Sequence, residues 1–263
     1  MKIKPEIVNN LKSLLKDSHK SSPLLMAIIS SSLASIGLAT NSATTILGAM
    51  LMSPISSLII KSNINQVFTK HNIKYTKKYN TFIFPLLMIV CVTLLTSFIF
   101  GYIFCEIENR YDNKDLFKWP TKEMNERANP INIYYMIFIA IICGVALPFS
   151  LVMNNGTKLI AIGIATALTP PLANIGLGLA LKLYNYINNK KIDVKLDNFV
   201  DNSVKVGFTI FIVNLILLYL PTRLLLNIFV DDKNIFKSVE KYWNIKIDNN
   251  LKAERALSTE SSK

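Results

Sequence analysis

The sequence predicts an all-α, polytopic membrane protein with six transmembrane helices, built as two inverted repeats of three helices. Four stretches contain no Asp, Glu, Lys or Arg: residues 23–60, 80–105, 132–156 and 159–181. A hydrocarbon layer about 30 Å thick needs about 20 apolar residues per helix, so each stretch can supply at least one span. Two of the stretches also have prolines in their interior, at Pro54 and at Pro170 and Pro171. We therefore expect the second and fifth helices to be broken by proline.

Composition argues against two other classes of protein. The formal net charge is +12 at pH 7, but lysines are spread over every hydrophilic segment and not gathered on one motif with aromatic residues. We expect no nucleic acid as a partner. His19 and His71 both lie in basic hydrophilic segments, and no HExxH or GxSxG motif is present. We also expect that the protein is not an enzyme.

The three cysteines, Cys91, Cys105 and Cys143, lie inside or at the edge of apolar stretches. None belongs to a CxxC pair or stands at a spacing to histidine that is typical of a metal site. We interpret them as small apolar residues, and we expect neither a metal nor a cofactor.

The first repeat is predicted over residues 23–105. Residues 1–22 precede it as an amphipathic segment, which lies either on the membrane surface or on the loops of the protein. Spans one and two, residues 24–40 and 43–60, form a hairpin because only Asn41 and Ser42 separate them. Span three covers residues 81–104.

The second repeat is predicted over residues 132–229, after an extramembrane loop at residues 106–131. Its spans are residues 133–153, 159–181 and 206–229, and a C-terminal tail of mixed charge occupies residues 230–263.

Lysine counts predict the orientation in the membrane. The N-terminal segment and residues 61–79 are rich in lysine, and residues 61–79 contain no acid, so both should be cytoplasmic. An even number of spans separates them, and the same count places the C-terminus in the cytoplasm. The lysines between spans five and six fit this topology poorly. A rival topology, with re-entrant second and fifth helices, would place residues 61–79 outside.

The two proline-containing spans match each other locally. Setting Leu51 on Leu168 places Pro54 on Pro171 and Ser53 on Pro170. Since each half has three crossings, the second half enters the membrane inverted. A proline inside a span frees a backbone carbonyl, which is costly in lipid unless other groups or water satisfy it. Matched breaks in inverted halves indicate a central solute or ion site.

Structural explanations of the same residues stay open. Prolines also kink transmembrane helices that bind nothing, and the small residues at every fourth position favour close helix packing. Buried amides serve equally as ligands or as interhelical hydrogen bonds. The candidate substrate-binding residues are Asn41, Ser42, Gly48, Ser53, Pro54, Thr169, Pro170, Pro171, Asn174 and Asn214.

The runs LASIGLATNSATTILGAMLMSPI, residues 33–55, and IGIATALTPPLANIGLGLAL, residues 162–181, resemble the paired signatures of the bacterial membrane family catalogued as domain of unknown function 389. The resemblance covers residues 23–220 and includes the pair Asn214-Leu215. It implies the fold and the importance of several candidates, and it implies no substrate. Those candidates are Asn41, Gly48, Pro54, Pro170, Pro171 and Asn174.

We expect a transporter or channel for a small solute or ion, embedded as a multi-pass protein in the lipid bilayer. The alternative is a non-transporting scaffold or sensor that binds lipid or a protein partner. A homo-oligomer is compatible with either function. A polar cavity at Pro54 and Pro170 favours the first, and a dry, unbroken core favours the second.

Overall fold

A computed structural model describes residues 23–70, 82–110, 119–152, 168–188 and 194–230. Within these ranges the chain forms α-helices and no strand, which confirms the all-α class. The helices are α1 (Pro23–Ala39), α2 (Ala43–Met52), α3 (Pro54–Lys70), α4 (Ile83–Arg110), α5 (Lys122–Ala128), α6 (Ile131–Val152), α7 (Thr169–Ile187) and α8 (Val194–Val230).

Four helical stretches are long and apolar enough to cross a membrane: Ala43–Gln66, Ile83–Arg110, Ile131–Pro148 and Leu196–Leu225. Helix α1 is apolar but has only 17 residues. The outer faces of α4 and α6 expose large apolar side chains, among them Phe84, Leu95 and Phe138, each more than 60% accessible. Continuous apolar surface of this kind is rare on soluble monomers and suits contact with lipid. The segments predicted at residues 1–22, 159–167 and 231–263 lie outside the described residues.

Helices α1 and α2 form the tight hairpin expected from the sequence. Asn41 adopts a left-handed backbone with φ of 55°, a conformation that asparagine tolerates better than most residues. Ser42 caps α2 by accepting a hydrogen bond from the backbone N–H of Thr45. A Cβ atom at Gly37 would lie 2.9 Å from the backbone nitrogen of Ile46, so only glycine lets the two helices meet here.

Helix α7 forms the centre of the molecule and is buried along most of its length, against α4, α8 and α1. It comes close to α4 because both helices have small residues at the contact. A Cβ atom at Gly176 would lie 2.7 Å from the Cβ of Ser97, and one at Gly101 would lie 2.8 Å from the Cβ of Ala180. Small residues that bring helix backbones together are typical of membrane helix packing.

Helix α8 begins at Val194, well before the predicted start of span six at residue 206. The charged residues assigned to a loop continue this helix instead. Asp197 lies in its first turn, where a negative charge is favourable, and forms an ion pair of 2.7 Å with Lys182 of α7. Polar residues therefore extend both helices beyond the apolar region.

Candidate functional site

The second predicted span is interrupted at Ser53, whose extended backbone (φ −64°, ψ 124°) separates α2 from α3. Pro54 has no backbone N–H to donate to the preceding turn. The N–H of Ser53 donates to the carbonyl oxygen of Met50 at 3.2 Å, one residue short of its α-helical partner, Ala49. The Ser30 hydroxyl of α1 donates instead to the Ala49 carbonyl oxygen at 2.7 Å. Helix α1 thus satisfies one of the carbonyls at the end of α2.

The last two carbonyls of α2 receive no hydrogen bond from their own helix, because a helix end leaves its final carbonyls unpaired. They belong to Leu51 and Met52, and both residues line a cavity beside the break. This leaves backbone acceptors at the edge of a space large enough for solvent or solute.

The other proline pair lies at the start of α7. Thr169 is the first residue of this helix, and Pro170 and Pro171 occupy its first turn, where a missing N–H costs little. The Thr169 hydroxyl donates a hydrogen bond of 2.7 Å to the Ser53 hydroxyl, which is 116 residues away along the chain. The first turns of α3 and α7 therefore meet at one point.

The break lies near the middle of one membrane-compatible stretch. Ser53 and Pro54 stand at the centre of Ala43–Gln66. The Thr169 hydroxyl, which is bonded to Ser53, is therefore distant from both ends of that stretch as well. A Cβ atom at Gly207 would lie 3.1 Å from the carbonyl oxygen of Pro171, so the first turn of α7 also touches α8.

The cavity at the break has a volume of about 340 Å³, which falls within the range of small-molecule sites. It is lined by Pro23, Met26, Leu51, Met52, Ser53, Pro54, Ser57 and Lys61. The first turns of α1 and α3 thus form walls around the end of α2. Among these described residues, only Lys61 carries a charge.

Lys61 is the functional candidate that the sequence interpretation missed, since its charge was taken to mark the end of a span. In the structure α3 continues past it to Lys70, and the Lys61 side chain is half-buried. Lys61 follows Ser57 by four residues, a spacing that places both on one face of a helix. That spacing was the sequence signal that could have placed Lys61 at the site. Lys61 lies about 10 Å along the helix from Pro54.

Asn41 and Ser42 lie at the opposite end of α2, about 15 Å from the break. Asn41 accepts a hydrogen bond of 3.0 Å at its side-chain oxygen from the backbone N–H of Glu123, the second residue of α5. Both residues therefore shape and anchor the α1–α2 turn in this structure, outside the cavity.

Asn174 is buried and holds other helices to α7. Its side-chain nitrogen donates to the carbonyl oxygen of Met124 at 3.0 Å and to the Ser203 hydroxyl at 3.3 Å. Asn214 is buried within α8, and Gly48 has open space where a side chain would project. Of the ten candidates, the structure brings Ser53, Pro54, Thr169, Pro170 and Pro171 together and places the other five elsewhere.

Helix α5 closes the end of the bundle opposite the cavity. The Thr121 hydroxyl caps α5 and donates a hydrogen bond of 2.6 Å to the carbonyl oxygen of Leu38 in α1. Met124 of α5 is completely buried. We call these contacts, with those of Asn41 and Asn174 to the α5 backbone, the α5 latch. The latch fastens α5 to α1, to the α1–α2 turn and to α7.

Within the described residues, no three His, Cys, Asp or Glu side chains gather in a way that could hold a metal ion. The chemistry available at the break consists of hydroxyls, backbone carbonyls and one ammonium group.

The family described as domain of unknown function, DUF389, matches residues 50–220. This range includes both proline sites and confirms the resemblance drawn from the sequence. No curated protein and no solved structure matches the chain.

Proposed function

Because the chain belongs to the DUF389 family, whose function is unknown, we propose from the geometry of its own residues that it passes a small solute or ion through the membrane at the point where α3 and α7 begin. The observation that supports this most is the hydrogen bond of 2.7 Å between Ser53 and Thr169. It joins the two proline sites beside a cavity, at the place where a discontinuous-helix transporter has its solute site.

The proposed architecture is six spans in two inverted repeats, α1 to α4 and α6 to α8. The pairing of helices supports it, because two contacts in one arrangement have equivalents when the halves are exchanged. Helix α1 packs on α4 as α6 packs on α8, and α7 packs on α4 as α3 packs on α8. The equivalent of α2 would fall before Thr169, outside the described residues.

The proposed orientation keeps both termini and the lysine-rich end of α3 in the cytoplasm, following the positive-inside rule. The cavity, bounded by Pro23 and Lys61, then faces the cytoplasm, and the α5 latch faces outside. In this orientation the structure corresponds to a state that is open inward and closed outward.

A scaffold or sensor is supported less well by the same residues. Packing alone gives no reason to break a helix at mid-depth, because backbone carbonyls without partners are expensive in a dry apolar region. The end of α2 borders a cavity that is large enough for water or a small solute. A scaffold would be more stable with a continuous helix at this position.

The test is flux through vesicles reconstituted with the full chain, measured for small anions, small cations and neutral polyols. We expect Thr169→Val to lower the flux of the transported solute about tenfold, since a lost interaction of about 1.4 kcal/mol corresponds to a factor of ten. Valine keeps the shape of threonine and removes its hydroxyl.

The matched control is Thr209→Val, because Thr209 is exposed on α8 and its hydroxyl donates only to the carbonyl of its own helix, at Lys205. Its flux should equal that of the wild type. Equal flux in all three proteins would show that the break is not on the pathway, and no flux of any solute through folded wild-type protein would contradict transport itself.

A further inference from the structure

We infer that the cavity at the break takes a small anion, and that Lys61 is the residue that sets this selectivity. The inference rests on the proposed function, because it names the class of solute that would pass the break. It follows from the balance of charge around the cavity, where two helix ends contribute partial charges and Lys61 contributes a full positive charge.

The helix ends at the cavity oppose each other electrostatically. The C-terminus of α2 contributes about half a negative charge and the N-terminus of α3 about half a positive charge, both at Ser53, so their fields largely cancel. The full positive charge of Lys61 remains. The net potential of the cavity is therefore positive.

No Asp or Glu is among the described residues that line the cavity. Residues 23–105 and 128–192 contain neither Asp nor Glu. Asp197 and Asp201 of α8 form ion pairs with Lys182 of α7, at 2.7 and 3.7 Å, towards the end of the bundle closed by α5. On the described walls of the cavity, a cation would meet an ammonium group and no carboxylate, whereas an anion would relieve the cost of a half-buried lysine that has no counter-ion there.

The Ser53 hydroxyl lines the cavity and accepts the hydrogen of Thr169, so its own hydrogen can be donated to a further acceptor. Chains of hydroxyls polarise one another in this way, which strengthens the final donor. Because side chains on a helix tilt towards its N-terminus, the stem of Lys61 leans towards Ser53 along the face of α3.

An anion therefore has two donors of different kinds, a hydroxyl at mid-depth and an ammonium group nearer the cavity mouth. The volume of about 340 Å³ admits nitrate, acetate or phosphate. The headgroup phosphate of an anionic lipid shares this chemistry and could reach the same lysine, so the experiment has to separate the two sources.

The experiment measures the anion-to-cation permeability ratio of the full chain in planar bilayers, with nitrate, acetate or phosphate against potassium. Wild-type protein should favour anions. Lys61→Gln should lower the ratio more than about tenfold, because a unit charge about 4 Å from the solute changes its binding about fivefold even at the dielectric constant of water, in opposite directions for an anion and a cation. Lys61→Arg should restore most of the ratio, and Lys122→Gln, which removes an exposed lysine on α5, should leave it unchanged.

Each protein is measured in bilayers of zwitterionic lipid alone and in bilayers with added anionic lipid. An unchanged ratio in Lys61→Gln, together with loss of co-purified anionic lipid, would identify a lipid headgroup as the ligand and overturn the inference. A wild-type ratio that favours potassium, or flux of neutral polyols only, would also overturn it while leaving transport through the break intact. No flux of any solute would instead reject the proposed function.

Discussion

The two helices that meet at the break have opposite surroundings. Helix α7 is buried from Thr169 to Gly178, whereas α3 exposes Ser57 and brings Lys61 to a cavity. In the proposed repeat they are equivalent elements, and under that proposal one half of the protein is closed and the other is open. Inverted repeats in unequal states are what alternating access requires, since the opposite state follows when the two halves exchange environments.

Glycine explains why α7 is tightly packed and α3 is not. Gly176 brings the backbone of α7 against α4, and α3 has no glycine that could make an equivalent approach. The large side chains Ile55 and Ile59 are fully buried in the core shared with α8 and leave the polar face of α3 unpacked. This difference can be tested by substitutions at the contact between α4 and α7 and by chemical labelling in the cavity.

The largest effect on stability is expected from Gly176→Ala. The added Cβ would lie 2.7 Å from the Cβ of Ser97 and 2.8 Å from the carbonyl oxygen of Leu94, and neither atom can move without shifting α4. We expect a loss of about 1–3 kcal/mol in the free energy of unfolding. Denaturation in detergent measures it.

Gly178→Ala is the matched control, because the nearest atoms to its added Cβ are 3.8 Å away. Its stability should stay within about 0.5 kcal/mol of the wild type. If the two variants lose equal stability, the close contact between α4 and α7 does not exist as described.

A smaller effect is expected at the α5 latch. Asn174→Leu removes the hydrogen bonds to Met124 and Ser203, and interhelical hydrogen bonds in membrane proteins contribute about 0.6 kcal/mol on average and at most about 1.7. Thermal unfolding should show a loss of this size. The permeability ratio of Asn174→Leu should equal that of the wild type, because Asn174 does not line the cavity.

Asn188→Leu is the comparison for this variant, since within the described part of the chain the Asn188 side chain donates to the carbonyl oxygen of Tyr184, one turn earlier. It should be less destabilising than Asn174→Leu. A changed permeability ratio in Asn174→Leu with unchanged stability would mean that Asn174 contacts the solute and that the latch contributes little.

Local chemistry made part of this structure predictable. The lack of an N–H in proline acts within one turn of helix, so the sequence alone indicated an interruption at Pro54. The hairpin was equally local, because Asn41 and Ser42 leave room for nothing except a tight turn. The absence of charge over long stretches predicted apolar helices for the same kind of reason.

Tertiary contacts decided the rest. The partner of Asn174 is a backbone carbonyl of α5, 50 residues away, which no spacing rule predicts. Lys61 was assigned to a hydrophilic flank because charge alone does not show where a helix ends. The early start of α8 is accompanied by an ion pair between Asp197 and Lys182, two residues on different helices. The contact between Ser53 and Thr169 results from the packing of the two halves. In the sequence, only the local match between the two proline-containing spans suggested it.

Transport through the break requires that water reaches the residues between α2 and α3 from one side of the membrane. The direct measurement is the reaction of Ser53→Cys with an anionic, water-soluble thiol reagent in vesicles, after Cys91, Cys105 and Cys143 have been replaced. We expect reaction from the side of Pro23 and Lys61, whereas Ser35→Cys, at a fully buried position, should remain unreactive. If Ser53→Cys is unreactive from both sides of the folded protein and reacts once unfolded, the break is dry and no solute passes through it.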